Sequence, residues 1–193
     1  MTNILSPVTG LIFLGPPGSG KGTQAQLLAQ IFGLSHISTG DILRQAITDK
    51  TQLGLEAQNF VEKGELVPDQ LLLNLIHEAL NGPQVSAGWI LDGFPRTVVQ
   101  ARFLDELLKE FSSLSVFVIN LEVPDQVLIE RLLQRGRQDD TKEIIANRLT
   151  VYQQKTAPVL DYYRSQGQLH SVDGNRQLED ITSSLEDLIS LDK

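Results

Sequence analysis

Apolar positions in this chain fall into two kinds of run that alternate. Five are short and nearly unbroken: "LIFL" (11–14), "SHI" (35–37), "GWIL" (88–91), "SVFVINL" (115–121) and "LHSV" (169–172). Continuous apolar runs of this length read as strands buried on both faces. Between them, apolar residues recur at spacings of three and four, the signature of helices with one buried face. "KGTQAQLLAQIF" (21–32) meets Gly33, a natural stop, and "PDQLLLNLIHEAL" (68–80) opens on Pro68 and Asp69. "TVVQARFLDELLKEF" (97–111), "PDQVLIERLLQR" (124–135), "TKEIIANRLTVYQQ" (141–154) and "LEDITSSLEDLI" (178–189) carry the same spacing. Strands that alternate with helices predict an α/β fold, a five-stranded parallel sheet flanked by helices, as one domain over 1–193. Two stretches interrupt the alternation. Residues 38–67 add helical material after the second strand, and 136–142, "GRQDDTK", form a polar break between two helices. Extra segments on a rigid sheet are candidates for closing over a ligand.

The turn between the first strand and first helix, "GPPGSGKGT" (15–23), fits G-x-x-x-x-G-K. Glycines let successive N–H groups turn inward as an anion cradle, and the helix start adds its free N–H groups and dipole. Lys21 then supplies a point charge to the outer phosphates. A glycine–proline turn with a surface lysine would share these letters; the strand before and the helix after set this stretch apart. The residue after Lys21 is Gly22 rather than Ser or Thr, with Thr23 one place later, so the usual hydroxyl ligand for Mg²⁺ is missing. "GWILDGFPRT" (88–97) is a second strand–turn–helix. Strand ends of a parallel sheet line the ligand crevice, which places Asp92 beside the phosphate loop to hold Mg²⁺ or its waters, and Arg96 where a guanidinium fork meets phosphate.

Bulk properties narrow the partner. The chain has 193 residues, a net charge of −8 and no cysteine. Its acidity disfavours a general nucleic-acid binder. The lack of cysteine excludes disulfides and thiolate metal sites and fits a cytoplasmic protein. No apolar run approaches a membrane span, and residues 1–10 lack the basic residues of a targeting segment. Yet Arg131, Arg135, Arg137 and Arg148 crowd one region. A locally basic cleft on an acidic protein suits a small polyanion.

"GPPGSGKGTQ", "STGDILR", "KGELVPD", "DGFPRT" with Gln100, and "RLLQRG…DD…NR" occur in an order that resembles the nucleoside monophosphate kinases, most nearly the adenylate kinases with a short lid. The likeness runs from Leu11 to about Leu185. It implies a P-loop NTPase type of fold with an AMP-binding insert at 38–67 and a short lid at 136–142. It also implies reversible transfer of the terminal phosphoryl group of MgATP to AMP, giving two ADP and balancing the adenine nucleotides. By the same resemblance, Gly18, Ser19, Gly20, Lys21, Gly22 and Thr23 cradle ATP phosphates. Arg131 packs on the ATP base, Arg135 reaches its phosphates, and Arg176 lies near the base through its backbone. The AMP pocket corresponds to Thr39, Arg44, Gly64, Glu65, Leu66 and Val67 together with Gly93, Phe94, Pro95, Arg96 and Gln100. In it Arg44 and Arg96 grip the acceptor phosphate, while Thr39 and Gln100 face its base. Arg137 and Arg148 meet the transferring group beside the acidic pair Asp139 and Asp140. The catalytic set is Lys21, Arg96, Arg135, Arg137 and Arg148. Mg²⁺ arrives with ATP and zinc is not expected. The partners are ATP, AMP and ADP, with no nucleic acid and no membrane, and the enzyme is a monomer.

The bottom-up chemistry agrees, because phosphoryl transfer relies on positioning and charge stabilisation more than on an acid or base. UMP/CMP kinases share both signature motifs. Thr39 and Thr97 stand where adenylate kinases usually carry threonine and the pyrimidine enzymes favour alanine and asparagine. A guanine switch would carry an NKxD base reader, which is absent, and a silent scaffold would have lost Lys21 or the arginines. His36, His77 and His170 share no motif and read as packing or surface residues. Trp89 reads as sheet packing, and Tyr152, Tyr162 and Tyr163 as packing residues with wet hydroxyls.

Overall fold

The computed structural model describes residues 9–110 and 115–190. Five strands, β1 (Thr9–Leu14), β2 (Ser35–Ser38), β3 (Gly88–Asp92), β4 (Ser115–Glu122) and β5 (Leu169–Asp173), form one sheet in the order β2-β3-β1-β4-β5. Every neighbouring pair is parallel. The α/β architecture expected from the alternation is therefore the observed one.

The sheet has two apolar faces, as its unbroken strands require. Leu11, Phe13, Ile90, Phe117, Ile119 and Leu121 point to one side, where α1 (Lys21–Phe32) and α9 (Leu178–Ser190) cover them. Ile12, Leu14, Leu91 and Val118 point to the other, under α4 (Asp69–Leu80), α5 (Val98–Leu108) and α8 (Ala157–Ser165). Trp89 packs the second face, as expected. A β-carbon at Gly10 would stand 2.5 Å from its ring, so β1 needs glycine there to let the indole lie across it. The final residue of the 97–111 helix reading, Phe111, lies outside the described residues. No helix among the described residues is long and apolar enough to cross a membrane.

The 38–67 segment is helical, as its spacing predicts: α2 (Thr39–Thr48) and α3 (Gln52–Lys63). Ser38 caps α2 by accepting from the Asp41 N–H, and Thr51 caps α3 by accepting from the Gly54 N–H. A β-carbon at Gly54 would stand 2.0 Å from the Ala46 carbonyl oxygen, so the two helices meet there backbone to backbone. The polar break follows α6 (Asp125–Arg135) and ends where Thr141 caps α7 (Lys142–Val151).

One helix differs from its sequence reading. The spacing over 141–154 gives a single element, but α7 passes into a π turn at Tyr152–Thr156 and then into α8. Pro158 sits in the first turn of α8, where its missing N–H costs least. The tyrosines also differ. The buried Tyr163 hydroxyl is not wet: it donates to Asp105 Oδ1 at 3.2 Å, while Tyr162 donates to Oδ2 at 2.6 Å, clamping α8 to α5. Burial and the Asp105 carboxylate push the Tyr163 hydroxyl well above its ordinary range.

Candidate active site

Sheet register sets the site. Phe13 pairs with Asp92, and Asp92 with Ser38, so three strands end level with one another. The phosphate loop therefore leaves β1 beside the start of α2 and the Asp92–Gly93 turn. On the other flank, Glu122 pairs with Asp173, and the Gly174 N–H donates to the Glu122 carbonyl at 2.8 Å. These ends surround a cavity of about 680 Å³, within the usual range for a ligand site.

Eight cations line it: Lys21, Arg44, Arg96, Arg131, Arg135, Arg137, Arg148 and Arg176. The lining carboxylates are Asp41 and Asp92. On a chain of net charge −8, this is strong segregation of positive charge. It is also costly. Burial pushes the Lys21 ammonium down to about 8; Asp92 opposes the shift, while Arg96, Arg148 and Arg135 add to it. Burial also lowers Arg96 and Arg148, with neighbouring guanidinium groups contributing. A polyanion would offset this repulsion.

The phosphate loop has the geometry its glycines predict. Gly15, Gly18 and Gly20 have φ of +133°, +85° and +96°, a backbone that side chains resist. Lys21 Nζ donates to the carbonyls of Gly15 and Pro16, each at 2.8 Å, which arches the ammonium back over the loop. Ser19 is buried, and Gly18 to Thr23 all line the cavity.

Asp92 presents an ionised carboxylate to the cavity. Burial raises its carboxyl, but the facing His36 ring and the Lys21 charge outweigh that and hold it ionised. A β-carbon at Gly22 would lie 3.1 Å from Asp92 Oδ2, so the missing hydroxyl at this place leaves room for the carboxylate. No group of three or more His, Cys, Asp or Glu among the described residues forms a metal cage. An ion here would be shared with a ligand, and Mg²⁺ accepts such water-rich coordination.

Two acidic residues organise the arginines of the break. The Asp140 side chain is fully buried and accepts from Arg135 Nε and Nη2 at 2.8 and 2.7 Å, a bidentate pair. It also accepts from the Arg137 N–H and from Arg148 Nη1, both at 3.1 Å. Asp139 binds Arg148 at 3.1 Å. Burial raises Asp140, and its arginine partners more than reverse this. Arg131 and Arg135, four apart on α6, both reach the cavity, where Arg131 donates to the Gly174 carbonyl at 3.0 Å. Arg176 lines the cavity, but its side chain binds Ser184 Oγ at 3.0 Å.

On the α2 side, Arg44 and Arg96 line the cavity with Gly64, Leu66, Gly93 and Pro95. Arg44 pairs with Asp41, and Arg96 Nε donates to the Gly93 carbonyl at 2.7 Å, which fixes its fork. Other residues expected here do not line it. Phe94 and Val67 are in the core, and Glu65 lies off the lining. Thr39 is buried and donates to the Asp92 carbonyl at 3.3 Å. Gln100 is fully buried: its Oε1 accepts from the Arg96 N–H at 2.7 Å, and its Nε2 donates to Asp69 Oδ1 at 2.7 Å.

Among the lining residues that the sequence reading did not assign to the site are His36, Gln24 and Tyr152. His36 does not lie in packing or on the outer surface; it lines the cavity with Nε2 3.7 Å from Asp92 Oδ2. Strand alternation puts it on the same face as Ser38, which is the only sequence signal for it. Gln24 is buried and joined to Thr182 at 2.9 Å and to the Leu178 carbonyl at 3.2 Å, tying α1 to the start of α9. Tyr152 reaches the cavity from the π turn.

Comparison with known proteins adds relatives to this geometry. A family model described as "Adenylate kinase" matches residues 13–168. The chain is 59% identical over 180 residues to adenylate kinase 1 of Synechocystis sp., covering 93% of this chain and 96% of that protein. It is 52% identical over 178 residues to adenylate kinase 1 of Nostoc sp., covering 92% and 97%. Against the adenylate kinase of Trichodesmium erythraeum it is 50% identical over 183 residues, covering 91% and 94%.

Proposed function

This chain belongs to the adenylate kinase family, and from that premise we propose how its residues divide the work of the family's reaction. That reaction is a reversible phosphoryl transfer in which ATP and AMP give two ADP. The observation that carries our division is the meeting of a glycine cradle with Lys21 and seven arginines around one cavity.

Residues Gly18 to Thr23 hold the ATP phosphates through main-chain N–H groups, and Lys21 meets the outer ones. Arg131, at the Gly174 turn, packs on the ATP base, while Arg135 reaches its phosphates; Arg176 contributes its backbone. Arg44 and Arg96 hold the acceptor phosphate in the 38–67 insert, and Gly64, Leu66 and the Gly93–Arg96 turn wall that seat. Gln100 and Thr39 would meet the acceptor base only by giving up part of their present hydrogen bonds, so we assign them first to shaping the Asp92–Arg96 turn. Arg137 and Arg148 lie where the break at 136–142 closes over both phosphates, and excluding water there protects ATP from hydrolysis. Asp92 would hold Mg²⁺ through water, and the ion would supply charge neutralisation to the phosphate oxygens. Magnesium as partner ion, a cytoplasmic setting and a monomeric enzyme belong to the same proposal, supported by the family resemblance and the cysteine-free composition.

A coupled assay with AMP, UMP and CMP as acceptors, with magnesium and with chelator, tests the reading. Turnover should be fastest with AMP and collapse with chelator. Faster turnover with UMP would overturn the acceptor assignment.

The lowered pKa of Lys21 gives a second test. In the free protein the ammonium loses its proton near pH 8, against 10.5 for an unperturbed lysine. A triphosphate beside it favours the charged form, so binding at pH 8.5 should take up a proton. ATP affinity should fall between pH 8 and 10, approaching tenfold per unit. Calorimetry at pH 8.5 in two buffers of different protonation enthalpy reads the uptake directly. A flat affinity with no uptake would refute the assignment of Lys21 to the phosphates.

A further inference from the structure

Two segments far apart in sequence meet at the end of α3. Asn147, on α7, donates from Nδ2 to the Lys63 carbonyl at 2.6 Å. The next residue, Gly64, ends α3 with φ of +70°, and a β-carbon there would stand 2.7 Å from Arg148 Cγ and 3.2 Å from Ile144 Cγ2. The end of the insert is thus cut to fit α7. From that contact a bonded run continues: Arg148 binds Asp139 and Asp140, and Asp140 holds Arg135.

The far end of α7 is differently held. It passes through the π turn at Tyr152–Thr156 into α8, which Asp105 clamps to α5 through Tyr162 and Tyr163. A π turn breaks the regular i to i−4 ladder and is a place where a helix bends. So α7 is rooted at its C-terminal end, and the stretch before that end touches the insert through Asn147.

We propose that Asn147 is a positioning residue that couples the two nucleotide seats. The proposal rests on the assignment of AMP to the 38–67 insert and of ATP to the phosphate loop and α6. Asn147 need touch neither nucleotide. Its bond to the Lys63 carbonyl fixes the insert against α7, and α7 carries Arg148 into the cavity beside the Asp140–Arg135 pair. Whichever nucleotide draws its segment inward therefore favours the arrangement that the other one needs. Coupling of this kind is reciprocal in binding free energy. One net hydrogen bond at a solvent-accessible contact corresponds to a coupling factor of about two- to tenfold. The acceptor on Lys63 is main chain, so the interaction is independent of that residue's side chain.

The test is calorimetric titration of AMP into wild type, Asn147→Ala and Asn147→Gln, each with and without a saturating unhydrolysable ATP analogue and magnesium. In wild type the analogue should tighten AMP, and AMP should tighten the analogue by the same factor. In Asn147→Ala, AMP affinity without the analogue should stay within about twofold of wild type, while the tightening shrinks by about two- to tenfold. Under turnover, KM for AMP should rise more than kcat falls. Gln, which keeps the amide donor, should recover part of the tightening, and circular dichroism should show both variants folded. Tightening in Asn147→Ala equal to wild type would overturn the proposal. So would an equal loss of AMP affinity with and without the analogue, since that describes a local prop of the insert. Wild type that binds both ligands without mutual tightening would refute the coupling alone. Wild type that binds neither would refute the nucleotide assignment itself.

Discussion

Lys21→Met should yield a folded protein whose turnover is at least about a thousandfold below wild type, a loss of about 4 kcal/mol in transition-state stabilisation. Methionine has a similar length and no charge. The ammonium arches over the loop through its two 2.8 Å bonds to Gly15 and Pro16 carbonyls, so its position is set before any phosphate arrives. Loss of a preorganised charge from a low-dielectric site is felt mainly in the transition state. Folding should tolerate the change for the reason that makes Lys21 unusual. Burial and three arginines disfavour its charged form while Asp92 favours it, so removing the charge relieves the burial cost and the arginine repulsion and gives up the Asp92 attraction, effects that oppose one another. Thermal unfolding should shift by only a few degrees, while the coupled assay shows the large loss. Wild-type-like turnover would remove Lys21 from the chemistry, and an unfolded variant would show that its carbonyl bonds hold the loop together.

The periodicity of the chain made the sheet and most helices legible because each buries a regular apolar face. The first helix ends at Gly33 because the glycine adopts φ of +69° and its N–H closes on the Ala29 carbonyl. The phosphate loop and the DGFPR turn were legible because backbone geometry needs glycine at fixed places. What escaped depended on partners distant in sequence. Gln100 is tied to Asp69, 31 residues away, and Tyr163 to Asp105, 58 away. His36 became visible as a cavity residue only once register set β2 beside Asp92. The π turn escaped because Pro158 looks like a helix stop, whereas the irregular ladder before it absorbs the missing N–H. Thr97 was legible as a family habit, but its observed work is local: it caps α5 by accepting from the Gln100 N–H at 3.2 Å, a task asparagine performs equally well.

Arg96→Ala should separate the two seats. Its fork is fixed on the cavity wall by the Nε bond to the Gly93 carbonyl. A guanidinium bound to a phosphate through two charge-assisted bonds contributes about 3–4 kcal/mol, so kcat/KM for AMP should fall by about a hundred- to a thousandfold. KM for ATP should change by no more than about threefold. The backbone should survive, because the Arg96 N–H that donates to Gln100 Oε1 is still present in alanine, and Thr97 still caps α5. Deleting the side chain also relieves its burial and its repulsion with Arg148 and Arg44, which offsets the loss of the Asp92 attraction. Steady-state kinetics with each nucleotide varied in turn provide the comparison. If both substrates suffer equally, Arg96 acts on the transferring phosphoryl group rather than on the acceptor phosphate, and the boundary between the seats runs on the other side of the Asp92–Arg96 turn.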